Sequence, residues 1–332
     1  MVKVGMVGMG GMGSHHAATL AGMPNAKVLY TCDLIQERAD KAAAATGAKA
    51  ITDFRQMLDD VDAVYVCTEP FNRVDVVTAC AEAGKHIFME KPVCINLEGA
   101  EKMVAACKKA KVKLMLGYVL RFWSPFNLIK YTLDSGELGD LVTVFTQRFM
   151  PVDMRSVWYG DQSKSGGITL DFGSHDIDWV RWVGGDVKTV FGQVARIRPG
   201  VNADEHVQGM MLFQNGGWGS ICDSWGSFLG DSQLGVVGTK GAIIVDRGGI
   251  IRKKVGDGEE EILSEGGDMS IDPKGNLGKG APSKDETIQQ HFIRSVEEDF
   301  TPLVTGDDGI AVWKIVFGIL ESAKTGKAVD IV

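Results

Sequence analysis

Over the first 120 residues, short apolar runs alternate with longer amphipathic stretches. Val2–Val7 reads as a strand, and a helix follows from about Gly11 to Gly22. Lys27–Cys32, carrying Val28, Leu29 and Tyr30, predicts the second strand, and Gln36–Thr46 an alanine-rich helix stopped by Gly47. Further strands fall at Ala48–Ile51, Ala63–Cys67, His86–Met89 and Lys113–Gly117, with helices at Asn72–Ala83 and Leu97–Lys109. Uniformly apolar strands separated by helices of about 10–15 residues indicate crossover units on a parallel sheet covered on both faces.

The pattern changes after residue 120. Helices are expected at Pro125–Asp134 and Gly167–Trp182. Longer, alternating strands are expected at Leu141–Phe149, Val187–Ile197, Val207–Phe213, Trp218–Ser224, Leu234–Val237 and Ala242–Val245. Asn215-Gly216 between two of them is a hairpin signal, because both residues tolerate positive φ. Residues 256–284, rich in Gly, Glu, Asp and Lys, read as a mobile surface excursion. Two helices, about Asp285–Glu298 and Gly309–Lys324, close the chain. The expected fold class is α/β: a doubly wound parallel sheet over 1–120, then an α+β domain over 121–332 with a large, mostly antiparallel sheet. The closing helices are free to pack back on the first domain.

A length of 332 residues suits two domains and supports a core without disulfides or a structural metal. Hydrophobic residues at 45% and charged residues at 23% exclude a disordered or fibrous chain. The 35 Lys and Arg against 43 Asp and Glu give a net charge of −8, which argues against a general nucleic-acid binder. No apolar run approaches the roughly 18 residues of a membrane span. The six cysteines have neither CxxC nor Cys/His metal spacing, so reduced thiols in a cytoplasmic protein are expected. The N-terminus enters a strand directly, with no secretory pattern.

The first chemical signal is Gly8-Met9-Gly10-Gly11-Met12-Gly13, between a predicted strand and a predicted helix. Gly8 suits the tight turn, Gly10 lets backbone approach a pyrophosphate, and Gly13 lets helix and strand close together. The helix N-terminus then offers N–H groups and partial positive charge to phosphates. Asp33 closes the second strand, where a carboxylate can bind the adenosine ribose and repel the 2′-phosphate of NADP. Leu34 follows it, with no Arg or Ser to hold that phosphate. The expected cofactor is NAD; a glycine turn without a ligand is the bland alternative.

Glu90-Lys91-Pro92 directly follows a strand, where ligands bind in open parallel sheets, although alone it also suits a surface turn. In Gly166-Gly167-Ile168-Thr169-Leu170-Asp171-Phe172-Gly173-Ser174-His175-Asp176-Ile177-Asp178, Asp171 and His175 share a helical face, with Asp178 a turn further on. Alone, such a pair is as readily a local salt bridge or cap. No second His or Cys lies at metal spacing, so no metal is expected.

Together these segments resemble the Gfo/Idh/MocA oxidoreductases, over nearly the whole chain. The likeness rests on the Gly8–Gly13 loop, on Ala83-Gly84-Lys85-His86-Ile87-Phe88-Met89-Glu90-Lys91-Pro92, and on Gly166-Gly167 followed by Asp171, Gly173, His175, Ile177 and Asp178. Gly136-Glu137-Leu138-Gly139 and Val304-Thr305-Gly306-Asp307-Asp308-Gly309 add to it. The resemblance implies an N-terminal Rossmann domain and a C-terminal domain whose sheet carries the substrate cleft on its helix side and often a subunit interface on its open face. Lys91 matches the active-site lysine, with Lys91-Pro92 typically cis. His175 matches the catalytic histidine, and Asp171 the substrate-binding carboxylate. The implied cofactor site comprises Gly8, Gly10, Gly11, Met12, Gly13, Asp33, Leu34, Thr68, Asn72, Glu90, Lys91 and Arg121. The implied substrate site comprises Lys91, Asp171, His175 and Trp158. Arg73 departs from the pattern, since many members have His there.

These residue types suit oxidation of a secondary alcohol: His175 takes the hydroxyl proton, Asp171 binds a neighbouring hydroxyl, and Lys91 stabilises the developing alkoxide. The expected activity is an NAD-dependent dehydrogenase of a ring secondary alcohol in a cyclitol or sugar, inositol foremost. The alternatives are an NAD-dependent glycoside-processing enzyme, a sugar oxidoreductase with a recycled cofactor, or a non-catalytic NAD(H) sensor. Substrate stereochemistry is expected to be read by Met150–Tyr159 and residues 225–232. The apolar second sheet predicts a homo-oligomer, tetramer favoured over dimer, with a small polyol or sugar as substrate and neither nucleic acid nor membrane as partner.

Overall fold

The computed structural model describes residues 1–154, 158–266 and 286–331. They form two compact units: 1–118 with 286–310, and 119–154 and 158–266 with 311–331. Each is built around its own sheet.

The first unit carries six strands: β1 (Val2–Val7), β2 (Ala26–Cys32), β3 (Lys49–Ile51), β4 (Ala63–Val66), β5 (His86–Met89) and β6 (Leu114–Leu116). All pairings are parallel and the order is β3-β2-β1-β4-β5-β6. The order reverses between β1 and β4, where open α/β sheets bind ligands. Every residue of β4 is buried, as expected for a strand covered on both faces. The crossovers use α1 (Gly11–Ala21), α2 (Gln36–Thr46), α3 (Val74–Glu82) and α4 (Leu97–Ala110). Asn96 caps α4 by accepting the Gly99 N–H at 2.8 Å. The helix expected from Asn72 begins two residues later, because Pro70–Asn72 form a 3-10 turn.

A late segment completes this unit. Helix Ile288–Glu297 opens with a capping box between Thr287 and Gln290. Its Phe292 meets Tyr65 and Phe88 edge-on, at 5.4 and 5.8 Å between ring centroids.

The second unit carries β7 (Leu141–Phe149), β8 (Val187–Ala195), β9 (His206–Phe213), β10 (Trp218–Ser224), β11 (Asp231–Gly238), β12 (Gly241–Val245), β13 (Ile251–Val255), β14 (Glu261–Ser264) and β15 (Val329–Asp330). The order is β14-β13-β12-β11-β7-β10-β9-β8-β15, and only β7 and β10 pair in parallel. Asn215-Gly216 does turn β9 into β10, but only Gly216 takes positive φ, at 89°. Asn215 Oδ1 instead accepts the Gly217 N–H at 3.0 Å. β14 lies within the stretch expected to be a surface excursion; residues 267–284 of that stretch are outside the described residues.

This unit carries α5 (Phe126–Asp134), α6 (Gln162–Ser165), α7 (Gly167–Asp171), α8 (Gly173–Gly184) and most of a closing helix. The single helix expected from Gly167 to Trp182 is thus two, broken at Phe172. Helix α8 packs on β7 and β10, and Trp179 Nε1 ties it to α5 by donating to the Phe126 carbonyl at 3.0 Å. Ile319 of the closing helix Gly306–Thr325 lies over Gly192 and Gly209, where any Cβ would stand within 2.8 Å of it. These helices cover one face of the sheet. On the other, Phe191 pairs with Met210 and Met210 with Ser220, and Trp218 lies on the neighbouring row. Phe191, Met210 and Trp218 are 40%, 47% and 49% exposed. No helix of the described chain is long and apolar enough to cross a membrane.

Candidate active site

Three loops at the carboxyl ends of β1, β4 and β5 build the candidate cofactor site of the first unit. Gly8 takes φ 87°, and a Cβ there would stand 2.7 Å from the Thr68 nitrogen. A Cβ on Gly13 would stand 1.8 Å from the Gly8 carbonyl oxygen, so the loop closes only with glycine at both positions. At Gly10 and Gly11 a Cβ would meet nothing within 4 Å. Both are exposed, and no side chain caps the N-terminus of α1 behind them. An uncapped helix N-terminus facing open space fits a pyrophosphate.

Asp33 is half-buried and fixed to this loop. Its Oδ2 accepts the Met9 N–H at 2.7 Å and its Oδ1 the Ile35 N–H at 2.9 Å. Leu34 is 88% exposed and Met12 51%. Thr68 Oγ1 is buried and has no hydrogen-bond partner among the described residues, which fits a ligand polar group beside Gly8. Asn72 is exposed in its 3-10 turn. These residues fit a dinucleotide.

Glu90 closes β5, and its carboxylate is buried against α1. Oε1 lies 2.6 Å from His16 Nε2, and His16 Nδ1 lies 2.8 Å from Gln289 Nε2. Oε2 accepts the Lys91 N–H at 3.1 Å. Burial pulls the Glu90 pKa upward, but the His16 hydrogen bond and charge, with the Lys91 and Arg73 cations, outweigh it and hold the group low. Glu90, expected beside the cofactor, therefore spends its carboxylate on His16 and the Lys91 amide. Lys91 is half-buried, and its peptide bond to Pro92 is cis.

The second unit holds Asp171 and His175 on either side of the break at Phe172. The Phe172 N–H still bonds the Ile168 carbonyl at 3.0 Å, but the His175 N–H turns to the Phe172 carbonyl at 3.1 Å. The carboxylate and imidazole thus belong to consecutive helices, with Asp171 7% exposed and His175 half-exposed. His175 Nδ1 is buried. Arg121 meets Asp178 through a two-pronged ion pair, Nε to Oδ2 at 2.9 Å and Nη2 to Oδ1 at 2.6 Å, with both side chains buried. This fastens the Val119–Phe122 turn to α8 one turn beyond His175. Trp158 stacks on Tyr159 with centroids 4.0 Å apart, and Tyr159 meets Trp225 at 6.3 Å. Residues 155–157 of the expected substrate loop are outside the described residues.

Three residues that the sequence pattern did not single out support this pair from below. Arg148 Nε binds both oxygens of Asp176 at 2.9 Å, and its guanidinium lies over the Phe172 ring at 4.1 Å. Asp223 on β10 is fully buried beside Arg148 and Asp176. A Cβ on Gly173 would stand 3.4 Å from the Asp223 Oδ2. Burial and the neighbouring Asp176 charge push the Asp223 pKa well up against the opposing pull of Arg148. The available signal was strand phase: Asp223 shares the phase of the inward-facing Gly219 and Ile221. Among the described residues, no group of three or more His, Cys, Asp or Glu could hold a metal ion.

Comparison with known proteins bears on the family and the fold. The family model described as "Oxidoreductase family, NAD-binding Rossmann fold" matches residues 2–118. The GFO/IDH/MocA C-terminal domain model matches residues 126–244. Myo-inositol 2-dehydrogenase of Thermotoga maritima is 30% identical over 328 residues, spanning 93% of this chain and 92% of that one. A scyllo-inositol 2-dehydrogenase (NAD(+)) of Bacillus subtilis is 28% identical, spanning 99% and 96%. The solved structure of levoglucosan dehydrogenase with NADH and L-sorbose superposes with a TM-score of 0.87, covering 100% of this chain and 99% of that one. At 23% identity, that likeness shows the fold.

Proposed function

This chain belongs to the GFO/IDH/MocA family of NAD-binding oxidoreductases, and on that premise we propose that it oxidises a ring secondary alcohol of a cyclitol or sugar, inositol foremost, to the ketone. The observation that carries the reading is the Asp171–His175 pair, set across a helix break and braced by the Arg121–Asp178 and Arg148–Asp176 ion pairs. Inositol dehydrogenases among the relatives support the substrate class.

Each side chain then has a task. His175 takes the hydroxyl proton at Nε2, because Nδ1 is buried. Asp171 accepts a hydrogen bond from an adjacent ring hydroxyl and favours the imidazolium as it forms. Lys91 stabilises the alkoxide as a fixed cation. When bound, NAD supplies the hydride acceptor at nicotinamide C4. The amides before α1 hold the pyrophosphate, and Asp33, already fixed to the loop, accepts from the ribose hydroxyls. Trp158 and Tyr159 offer aromatic faces to the C–H side of a sugar ring. In the reverse direction, His175 returns the proton to the carbonyl oxygen.

We also read the protein as a cytoplasmic homo-oligomer, tetramer favoured over dimer. Six unpaired thiols support a reducing compartment, and the exposed Phe191, Met210 and Trp218 support a covered sheet face. The deciding experiment is a panel of inositols and sugars with NAD and NADP, followed at 340 nm. NADH formation with at least one cyclic polyol is expected. Binding of NADH without turnover of any polyol or sugar would replace the reading with that of a sensor.

A further inference from the structure

We propose that Arg73 is a positioning residue that holds the Lys91 backbone in its working place, a task a histidine at that position could not perform. The inference rests on the reading of Lys91 as a substrate-facing cation. Arg73 precedes α3 and is 3% exposed. Its Nε and Nη2 donate to the Thr68 carbonyl at 2.8 and 2.6 Å. Nη1 donates to the Glu90 and Pro92 carbonyls, and Nη2 lies 3.4 Å from the Lys91 carbonyl. One guanidinium therefore gathers the carbonyls of three consecutive residues after β5, together with the carbonyl of Thr68 beside Gly8.

The chemistry of the donor set explains why arginine stands here. A guanidinium has five N–H donors in a rigid plane, and here they make five N–H···O contacts with four carbonyls. An imidazole has two ring nitrogens on a shorter stem and could serve two carbonyls at most. An ammonium offers three donors from one point. Buried carbonyls left without donors are costly, so the loop would rearrange to find water or other donors.

The opposite side of the loop is held as well, because Glu90 Oε2 accepts the Lys91 N–H at 3.1 Å. Residues 90–92 are thus clamped by a cation on their carbonyls and by a carboxylate on the central amide. The clamp fixes the Lys91 backbone while its side chain stays half-exposed. A misplacement of about 1 Å at a reacting group can cost on the order of a hundredfold in rate.

The test is steady-state kinetics, NADH binding and thermal melting of Arg73→His and Arg73→Lys, each in wild-type and Lys91→Ala backgrounds. Arg73→His is expected to lower kcat about ten- to hundredfold, with KM for the polyol and Kd for NADH changed less than about threefold. Arg73→Lys, which keeps the charge and three donors, should recover part of the loss. In the Lys91→Ala background neither change should lower kcat by more than about twofold, as for groups acting as a unit. The proposal is overturned by Arg73→His retaining more than about half of kcat while Lys91→Ala is impaired. Equal losses in both backgrounds overturn it too, and failure of both Arg73 variants to fold would assign Arg73 to stability alone. Wild-type turnover in Lys91→Ala would instead remove the reading of Lys91, and the positioning role with it.

Discussion

Asp33 has a structural task beside the ribose contact proposed for it, because its carboxylate holds the Met9 amide. Asp33→Ser should therefore weaken NADH binding through the loop and narrow the preference for NAD over NADP, which in the wild type should be at least about tenfold, or about 1.4 kcal/mol. Comparable kcat/KM values for the two cofactors in the wild type would refute the assignment. Asp223 makes a cleaner prediction. Its raised pKa means a cost to folding that grows as pH rises above the unfolded value of about 3.9 and levels off at the folded pKa. Asparagine has the shape of the neutral acid without that cost. Asp223→Asn should thus raise the melting temperature more at pH 7 than at pH 4 with turnover kept, and a variant that melts lower at both pH values would contradict a raised Asp223 pKa. The glycine loop, Asp33, Lys91, Asp171 and His175 were legible because each sits at a fixed offset from a strand end or within a recurrent motif. His16, Arg148 and Asp223 were not, because His16 meets Glu90, Arg148 meets Asp176 and Asp223 lies beside both Asp176 and Arg148, all distant in the chain and brought together only by the fold.

Among the elements, the crossover helices and parallel strands followed from uniform apolar runs, and the first sheet is parallel throughout, as expected. The break at Phe172 did not follow, because Gly167–Trp182 keeps helical periodicity throughout and what divides it is tertiary: Arg148 on β7 stacks on Phe172 and grips Asp176. β13 escaped because Arg252, Lys253 and Lys254 interrupt any alternation. Its place beside β12 comes from backbone pairing and from Lys253 meeting Glu137 at 2.7 Å and Glu261 at 3.3 Å. The β1–α1 turn makes the strictest demand on a single position. With a Cβ 1.8 Å from the Gly8 oxygen, Gly13→Ala must displace either α1 or the loop. It should weaken NADH binding at least about tenfold, readable by fluorescence titration, whereas Gly10→Ala, which meets only open space without ligand, should leave the melting temperature of the free protein unchanged.

For the whole molecule, the two sheets present different problems. The first is covered on both faces by its own helices. The second leaves Phe191, Met210 and Trp218 in the open, so a second copy is the expected cover. Light scattering should give a multiple of the chain mass, and Trp218→Lys should lower it; a monomer at micromolar concentration would exclude the assembly. Acid should weaken the first unit. Burial raises the Glu286 pKa, but His291 and Arg294 overcome this and bring it down to about 2. A depressed carboxylate stabilises above its unfolded pKa of about 4.5 and loses that contribution as pH falls through the folded value. Glu286→Gln should then melt below the wild type at pH 7 and approach it as pH drops towards 2.

The division of labour between the units is tested most directly by His175→Ala, assayed for NADH formation with the best polyol and for NADH binding. The glycine loop and Asp33 lie in one unit and His175 in the other, so NADH affinity should hold while kcat falls by about 10² to 10⁴, the usual contribution of a positioned acid–base group. A folded His175→Ala protein that keeps more than about a third of the wild-type kcat would remove His175 from the chemistry and contradict the acid–base role on which the proposed dehydrogenase rests.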